Sequence, residues 1–278
     1  MAPIPLEDTF VDIVGKAQRG LKWSDETLAS RAGLTVNDIT RVKAGEVDDA
    51  VLRKLASALN LGANALVVSA RKAWQPEPVS LSGLAQFNTP YEDMTVNSYL
   101  VWDAKTGEAA AFDTGASCEP MLEWARGHRL AIKLIFLTHT HPDHIADLAK
   151  LTKATEAPVF VCELEPVPGA QTFAAGRTFR TGALQIATRQ TTGHSIGAIT
   201  YVISGLEKPV AIVGDALFAG SMGGGAISFS DALANNRRHI FTLSDQTLLC
   251  PGHGPLTTVA EEKRHNPFYP EFQSVNPQ

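Results

Sequence analysis

A small all-helical domain followed by a larger mixed α/β domain is the architecture the sequence predicts, on three observations. In residues 1–75 the apolar positions recur with helical spacing throughout. From Leu84 onward they gather instead into short runs of strand length, separated by helical and turn segments. Between the two lies a stretch holding Pro76, Pro78, Ser80, Ser82 and Gly83, residues that interrupt regular structure. These place a helical domain at 1–75, a linker at 76–83 and the mixed domain at 84–278.

Each element has a local reason. Phe10, Ile13, Val14, Ala17 and Leu21 fall on one helical face, which sets the first helix. The second fits 24–31 with Ser24 as its N-cap. The third starts at Thr35, where Thr35-Val36-Asn37-Asp38 approximates a capping box, and Gly33 sits in the turn before it. Amphipathic stretches at 50–59 and 63–73 complete the helical part. Strand-like runs follow at 98–102, 109–112, 132–137 and 158–161. No internal repeat or low-complexity tract is visible.

Composition narrows the function classes. Apolar residues make up 44% and charged residues 19%, the balance of a globular protein, and no apolar run approaches the ~20 residues of a membrane span. The first 21 residues carry Glu7, Asp8 and Asp12 and lack a basic start, so they do not read as a signal peptide, and a cytoplasmic location is expected. Cys118, Cys162 and Cys250 form no disulfide framework and read as free thiols. A net charge of −5 offers no global attraction for nucleic acid.

The chemistry concentrates at one strand exit. The run 131–137 empties into Thr138-His139-Thr140-His141-Pro142-Asp143-His144. His139 and His141, two apart in extended chain, point to one side and can chelate one ion; Asp143 and His144 open the next helix and can reach a second. Taken singly, each candidate has a plainer reading. Asp143 suits an N-cap, Asp215 a turn after the apolar run 210–213, and His194 and His253 loop positions. Taken together, each follows a strand-like segment, so all can gather along one edge of a sheet.

His-x-His-x-Asp-His, then Gly193-His194-Ser195, Gly214-Asp215 and Gly252-His253-Gly254, in that order, resemble the metallo-β-lactamase superfamily. Asn97-Ser98-Tyr99-Leu100 and Asp113-Thr114-Gly115 match that family's opening strands, and the resemblance covers about residues 84–265. It implies an αβ/βα sandwich with metals at one open edge. It also implies that His139, His141 and His194 bind one metal, that Asp143, His144 and His253 bind a second, and that Asp215 bridges them. Imidazole and carboxylate donors suit zinc foremost, with iron or manganese also fitting, and two such divalent ions can hold a bridging water and lower its pKa. The expected activity is hydrolysis of a thioester, ester or lactone by that bridging hydroxide, with Asp143 carrying a proton to the leaving group.

Branches of the family can be weighed by what is missing. The zinc β-lactamases often carry cysteine where Asp215 stands, and many lack histidine where His144 stands. Asp215 and His253 are too close in sequence for the domain that RNA-processing nucleases insert there, and no tyrosine lies between them as in the acyl-homoserine lactonases. The segment 214–221 resembles glyoxalase II, but Met222-Gly223-Gly224-Gly225-Ala226 replaces its Gly-Arg continuation, and the helical region that contacts glutathione there is largely missing. Gly223, Gly224 and Gly225 read as a flexible loop at a pocket rim. The alternative is a persulfide dioxygenase using one iron on the equivalents of His139, His194 and Asp215, although the arginine that branch expects after Asp215 is absent.

Residues 23–66 resemble the Cro/repressor type of helix-turn-helix, with 36–43 as recognition helix. The resemblance implies DNA as a partner and a homodimer, and with it a metabolite-responsive regulator that uses the metal domain as sensor. Charge argues the other way: residues 1–75 hold 10 Lys/Arg against 9 Asp/Glu, a net of +1 (10 − 9), and DNA affinity rests on phosphate neutralisation.

Overall fold

The computed structural model describes residues 4–273. The chain opens with α1 (Phe10–Gly20), α2 (Asp25–Ala32), α3 (Val36–Lys43), α4 (Asp49–Leu59) and α5 (Ala63–Ala70). Local chemistry starts and stops them as the sequence implies. Ser24 caps α2, Thr35 and Asp38 form a complete capping box on α3, and Gly33 takes a left-handed φ of 62° between the two. The last helix ends at Ala70, short of the expected residue 73, because the chain turns at Lys72, whose φ is 51°. The segment that follows is extended, and Trp74 stacks on His265 with ring centroids 4.5 Å apart.

Two sheets make up the rest. The first takes β1 (Leu84–Tyr91), β2 (Met94–Trp102), β3 (Glu108–Phe112), β4 (Ala131–Phe136), β5 (Val159–Cys162) and β6 (Gln171–Phe173), in that spatial order. Its first two pairings are antiparallel hairpins; β3, β4, β5 and β6 run parallel, with α6 (Glu119–His128) between β3 and β4, α7 (Pro142–Ile145) and α8 (Leu148–Thr155) between β4 and β5, and a loop between β5 and β6. Parallel neighbours need such crossovers. The second sheet takes β7 (Thr178–Thr181), β8 (Leu184–Gln190), β9 (Ile199–Ser204), β10 (Val210–Gly214), β11 (Leu248–Pro251) and β12 (Thr257–Thr258). There β10 and β11 pair in parallel across α9 (Phe229–His239), and α10 (Val259–His265) follows β12.

Alternation along the strands assigns the layers. On β3, Ala110 and Phe112 face the space between the sheets, whereas Ala109 and Ala111 meet α6; on β10, Val210 and Ile212 face inward while Ala211 and Val213 turn outward. Phe112, Phe136, Phe160, Phe179 and Tyr201 interlock between the sheets, each worth about 1.5–3 kcal/mol of burial. This is a two-sheet sandwich with helices outside. The N-terminal helices join its outer layer: Ile13, Leu28, Leu52 and Leu66 belong to one core with Ala211, Val213, Leu249 and Tyr269. No helix among the described residues is long and apolar enough to cross a membrane.

Candidate metal centre

Strand ends deliver every expected ligand to one edge of the sandwich. β4 runs out into Thr138 to His141, and Pro142 opens α7 so that Asp143 and His144 sit in its single turn. His194 follows β8, Asp215 follows β10 directly, and His253 follows β11. Gly252 allows the last approach. A Cβ there would lie 2.0 Å from Asp215 Oδ1 and 2.7 Å from the His144 ring, so no other residue fits between the two loops.

The seven side chains form two linked groups. His139 Nε2 lies 3.1 Å from His141 Nδ1, which lies 3.0 Å from His194 Nε2. On the other side Asp143 Oδ2 lies 3.4 Å from His144 Nε2 and 3.3 Å from His253 Nε2. Asp215 stands between them, with Oδ1 at 3.3 Å from His144 Nε2 and Oδ2 at 3.3 Å from His194 and 3.4 Å from His253. Within each of the trios His139, His141, His194 and Asp143, His144, His253, the donor atoms lie within 4.8 Å of one another.

Outer hydrogen bonds aim the rings. His144 Nδ1–H donates to Asp113 Oδ2 at 2.9 Å, His253 Nδ1–H to the Thr95 carbonyl at 2.7 Å, and His194 Nδ1–H to the Gly224 carbonyl at 3.0 Å. Asp113 is itself fixed by donors from Thr138 N and Oγ1, both at 2.7 Å. Each of these rings therefore turns its Nε2 inward, as metal-ligating histidines do. His144 Nε2 and Asp215 Oδ1 are buried and have no hydrogen-bond partner. Buried polar atoms are rarely left so, and a divalent cation between them would satisfy both.

The electrostatics fit a cation as well. Burial pushes Asp215 up, but His253 and His144 outweigh it and hold the carboxyl well below the usual carboxylate range. Burial likewise opposes charge on His144 and His253, yet Asp215 and its neighbours push them up to about 10 and about 11. His139, deeper and beside other imidazoles, is held well below the usual histidine range by burial. Positive charge is what this cluster gathers, and metal ions replace the protons that otherwise supply it.

Glu165 and Glu7 carry no recognisable signal in the sequence, and Asn97 reads there only as part of an opening strand. Glu165 accepts from Thr140 N at 3.1 Å, Thr140 Oγ1 at 3.2 Å, Gly197 N at 3.1 Å and the Ser195 hydroxyl, so it clasps the His141 and His194 loops together. Asn97 on β2 donates to the carbonyls of Pro251 at 2.9 Å and Gly254 at 2.8 Å, either side of His253. Glu7, ahead of α1, reaches the same loop, since a Cβ on Gly254 would lie 3.2 Å from its backbone nitrogen. The Gly-rich stretch after Asp215 is tied at both ends: Gly223 N donates to the Asp215 carbonyl at 3.1 Å, and Gly224 receives His194.

Known proteins are similar to this chain in sequence and fold. Residues 91–253 match the family model of the metallo-beta-lactamase superfamily. A probable metallo-hydrolase of Streptococcus pyogenes is 28% identical over 56% of this chain and 79% of its own length. The hydroxyacylglutathione hydrolase GloC of Haemophilus influenzae is 28% identical over 62% of this chain and 92% of its own. The mitochondrial persulfide dioxygenase ETHE1 of Mus musculus is 31% identical over 61% and 70%. Among solved structures, a B3 metallo-beta-lactamase, BLEG-1, superposes with a TM-score of 0.60 at 27% identity, covering 67% of this chain and 99% of its own. A di-iron-bound protein, TTHA1623, gives 0.52 at 26%, over 66% and 99%. Fold, ligand constellation and family model agree: the chain belongs to the metallo-beta-lactamase superfamily of metal-dependent hydrolases.

Proposed function

We propose that the chain hydrolyses a thioester, ester or lactone at a dinuclear centre. His139, His141 and His194 would hold one divalent ion and Asp143, His144 and His253 the other, with Asp215 shared between the two groups. The observation that carries this is Asp215 itself, whose two oxygens face both trios at 3.3–3.4 Å while Oδ1 lacks any other partner. When bound, two such ions polarise the acyl oxygen and activate water for attack. The protein's own part is positional. Asp113, Thr95 and Gly224 fix the imidazoles, and the Asp143 carboxylate, held below its ordinary range by His253 and His144 against the raising effect of burial, would take a proton from the attacking water and hand it to the departing group. Zinc is the leading metal, with iron favoured next by the di-iron relative.

The rival is a mononuclear iron persulfide dioxygenase, supported by the 31% identity to the mouse enzyme. Metal content on protein expressed without supplementation separates them. About two zinc, iron or manganese ions per chain, with turnover in a thioester, ester and lactone screen, supports the hydrolase; a single iron with oxygen consumption on a persulfide overturns it. Helices α2 and α3 carry the DNA and dimer readings less well. Arg41 is paired with Glu46 and Asp38, and Lys43 donates to Asp25 at 2.5 Å, so the basic groups of the expected recognition helix are already neutralised. The role we assign this helical unit is to complete the outer layer beside the metal centre.

A further inference from the structure

We propose that the cavity between α1 and the start of α9 is an anion subsite, which binds a carboxylate or phosphate group carried on the substrate's leaving group. This rests on the acyl-hydrolase reading above, and it concerns which acyl compounds are selected. The cavity encloses about 620 Å³, enough for a sizeable ligand group. Its walls are Lys16, Arg19 and Lys22 from the helical unit, facing Gly224, Gly225 and Ser228 from the segment after Asp215.

Charge is the argument. The lining contains no aspartate or glutamate, although the chain as a whole carries a net charge of −5. Lys16 is engaged by Asp8 and by the Met222 carbonyl, 2.8 Å away, but Arg19 and Lys22 have no acidic partner among the described residues and are exposed. Helix α9 begins on the same wall, with Ser228 capping Asp231 N at 3.3 Å, so the positive end of its dipole adds to theirs. Arg19 and Lys22, unpaired on a lining without carboxylates, favour a ligand with more than one negative charge, while Asp231 in the first turn of α9 offsets part of the helix contribution.

Position ties the cavity to the chemistry. Gly224 lines it and also accepts the hydrogen bond of His194, so the pocket wall is one hydrogen bond away from a metal-ligand candidate. The close seat of α1 on this wall depends on Gly20, where a Cβ would fall 2.2 Å from the Phe229 ring. A leaving group passing from His194 along Gly224 would enter the cavity that Arg19 and Lys22 also line. Carboxylate carriers, such as peptide thiols, and phosphate carriers, such as nucleotide thiols, share this recognition.

Calorimetric titration of the metal-loaded full chain with thioethers that cannot be hydrolysed tests the subsite apart from turnover. S-methylglutathione represents the carboxylates, S-ethyl coenzyme A the phosphates, and S-ethyl-N-acetylcysteamine the uncharged case. We expect at least one charged probe to bind at least about tenfold more tightly than the neutral one, the worth of one charge-assisted hydrogen bond. Which charged probe wins identifies the carrier. Arg19→Glu with Lys22→Glu should abolish that margin, and Arg19→Gln with Lys22→Gln should reduce it; both side chains are exposed, so the fold tolerates either pair. Equal affinity for charged and neutral probes, or a margin that survives charge reversal, overturns the subsite. Binding that depends on these residues in a protein that hydrolyses no acyl compound sinks the hydrolase reading and leaves the subsite standing. Acyl hydrolysis without charge preference does the reverse.

Discussion

Asp215 is where a single side chain carries most of the proposed chemistry, because both trios meet on its carboxylate. Asp215→Ala removes the proposed bridge and leaves His144 Nε2 facing Asp143 Oδ2 alone, at 3.4 Å. Metal content measured by plasma mass spectrometry should fall below two ions per chain, and kcat/KM should drop by more than the ~10–100-fold that outer residues cost. A variant with full metal content and turnover would refute the assignment. Glu165 is the outer counterpart. Glu165→Ala strands the donors on Thr140, Ser195 and Gly197 without touching any candidate ligand, so chelator competition should show metal affinity weakened by about 10–100-fold. Unchanged affinity would reduce Glu165 to a loop contact. The candidate ligands were legible because strand-end histidines and aspartates at fixed spacing advertise themselves. Glu165 was not, since its value lies in joining loops 25 and 30 residues away, and nothing in its own neighbourhood marks it.

Elements were legible where local chemistry decides them and less so where packing does. Thr35 with Asp38 and Ser24 fixed the helix starts in sequence and structure alike. The sequence could not show that α1 presses on α9, because the contact joins Gly20 to Phe229 across the whole chain. Propensity alone says that Gly20→Ala, within a helix, stabilises by about 0.8–1.0 kcal/mol. Packing says otherwise, since the added Cβ would stand 2.2 Å from the Phe229 ring. Overpacking of that kind costs about 1–3 kcal/mol, so the net expectation is a loss of up to about 2 kcal/mol in urea unfolding. A gain in stability would mean that the α1–α9 contact is looser than the structure has it.

At the scale of the molecule, the layers share their cores, and Glu262 is where the C-terminal helix is locked to the metal loop. Its carboxyl accepts from Gly220 N at 3.0 Å, Thr257 Oγ1 at 2.8 Å and Asn266 Nδ2 at 2.8 Å, while Asn266 also donates to the Ser221 carbonyl at 2.7 Å. Burial pushes Glu262 up from 4.5 to about 8, against the lowering effect of those donors. In the unfolded chain the same carboxyl titrates near 4.5, so between these values the folded state holds a proton that the unfolded state has released. Stability is therefore greatest below about pH 4.5 as far as this group is concerned, and is lost as pH rises towards and through 8. Glu262→Gln keeps the shape and removes the titration. Melting curves between about pH 5 and 9 should show a downward slope in the wild type that flattens in the variant. Equal slopes would mean that Glu262 stays ionised when folded, held by its ring of donors, and that the junction between α10 and the metal loop is insensitive to pH.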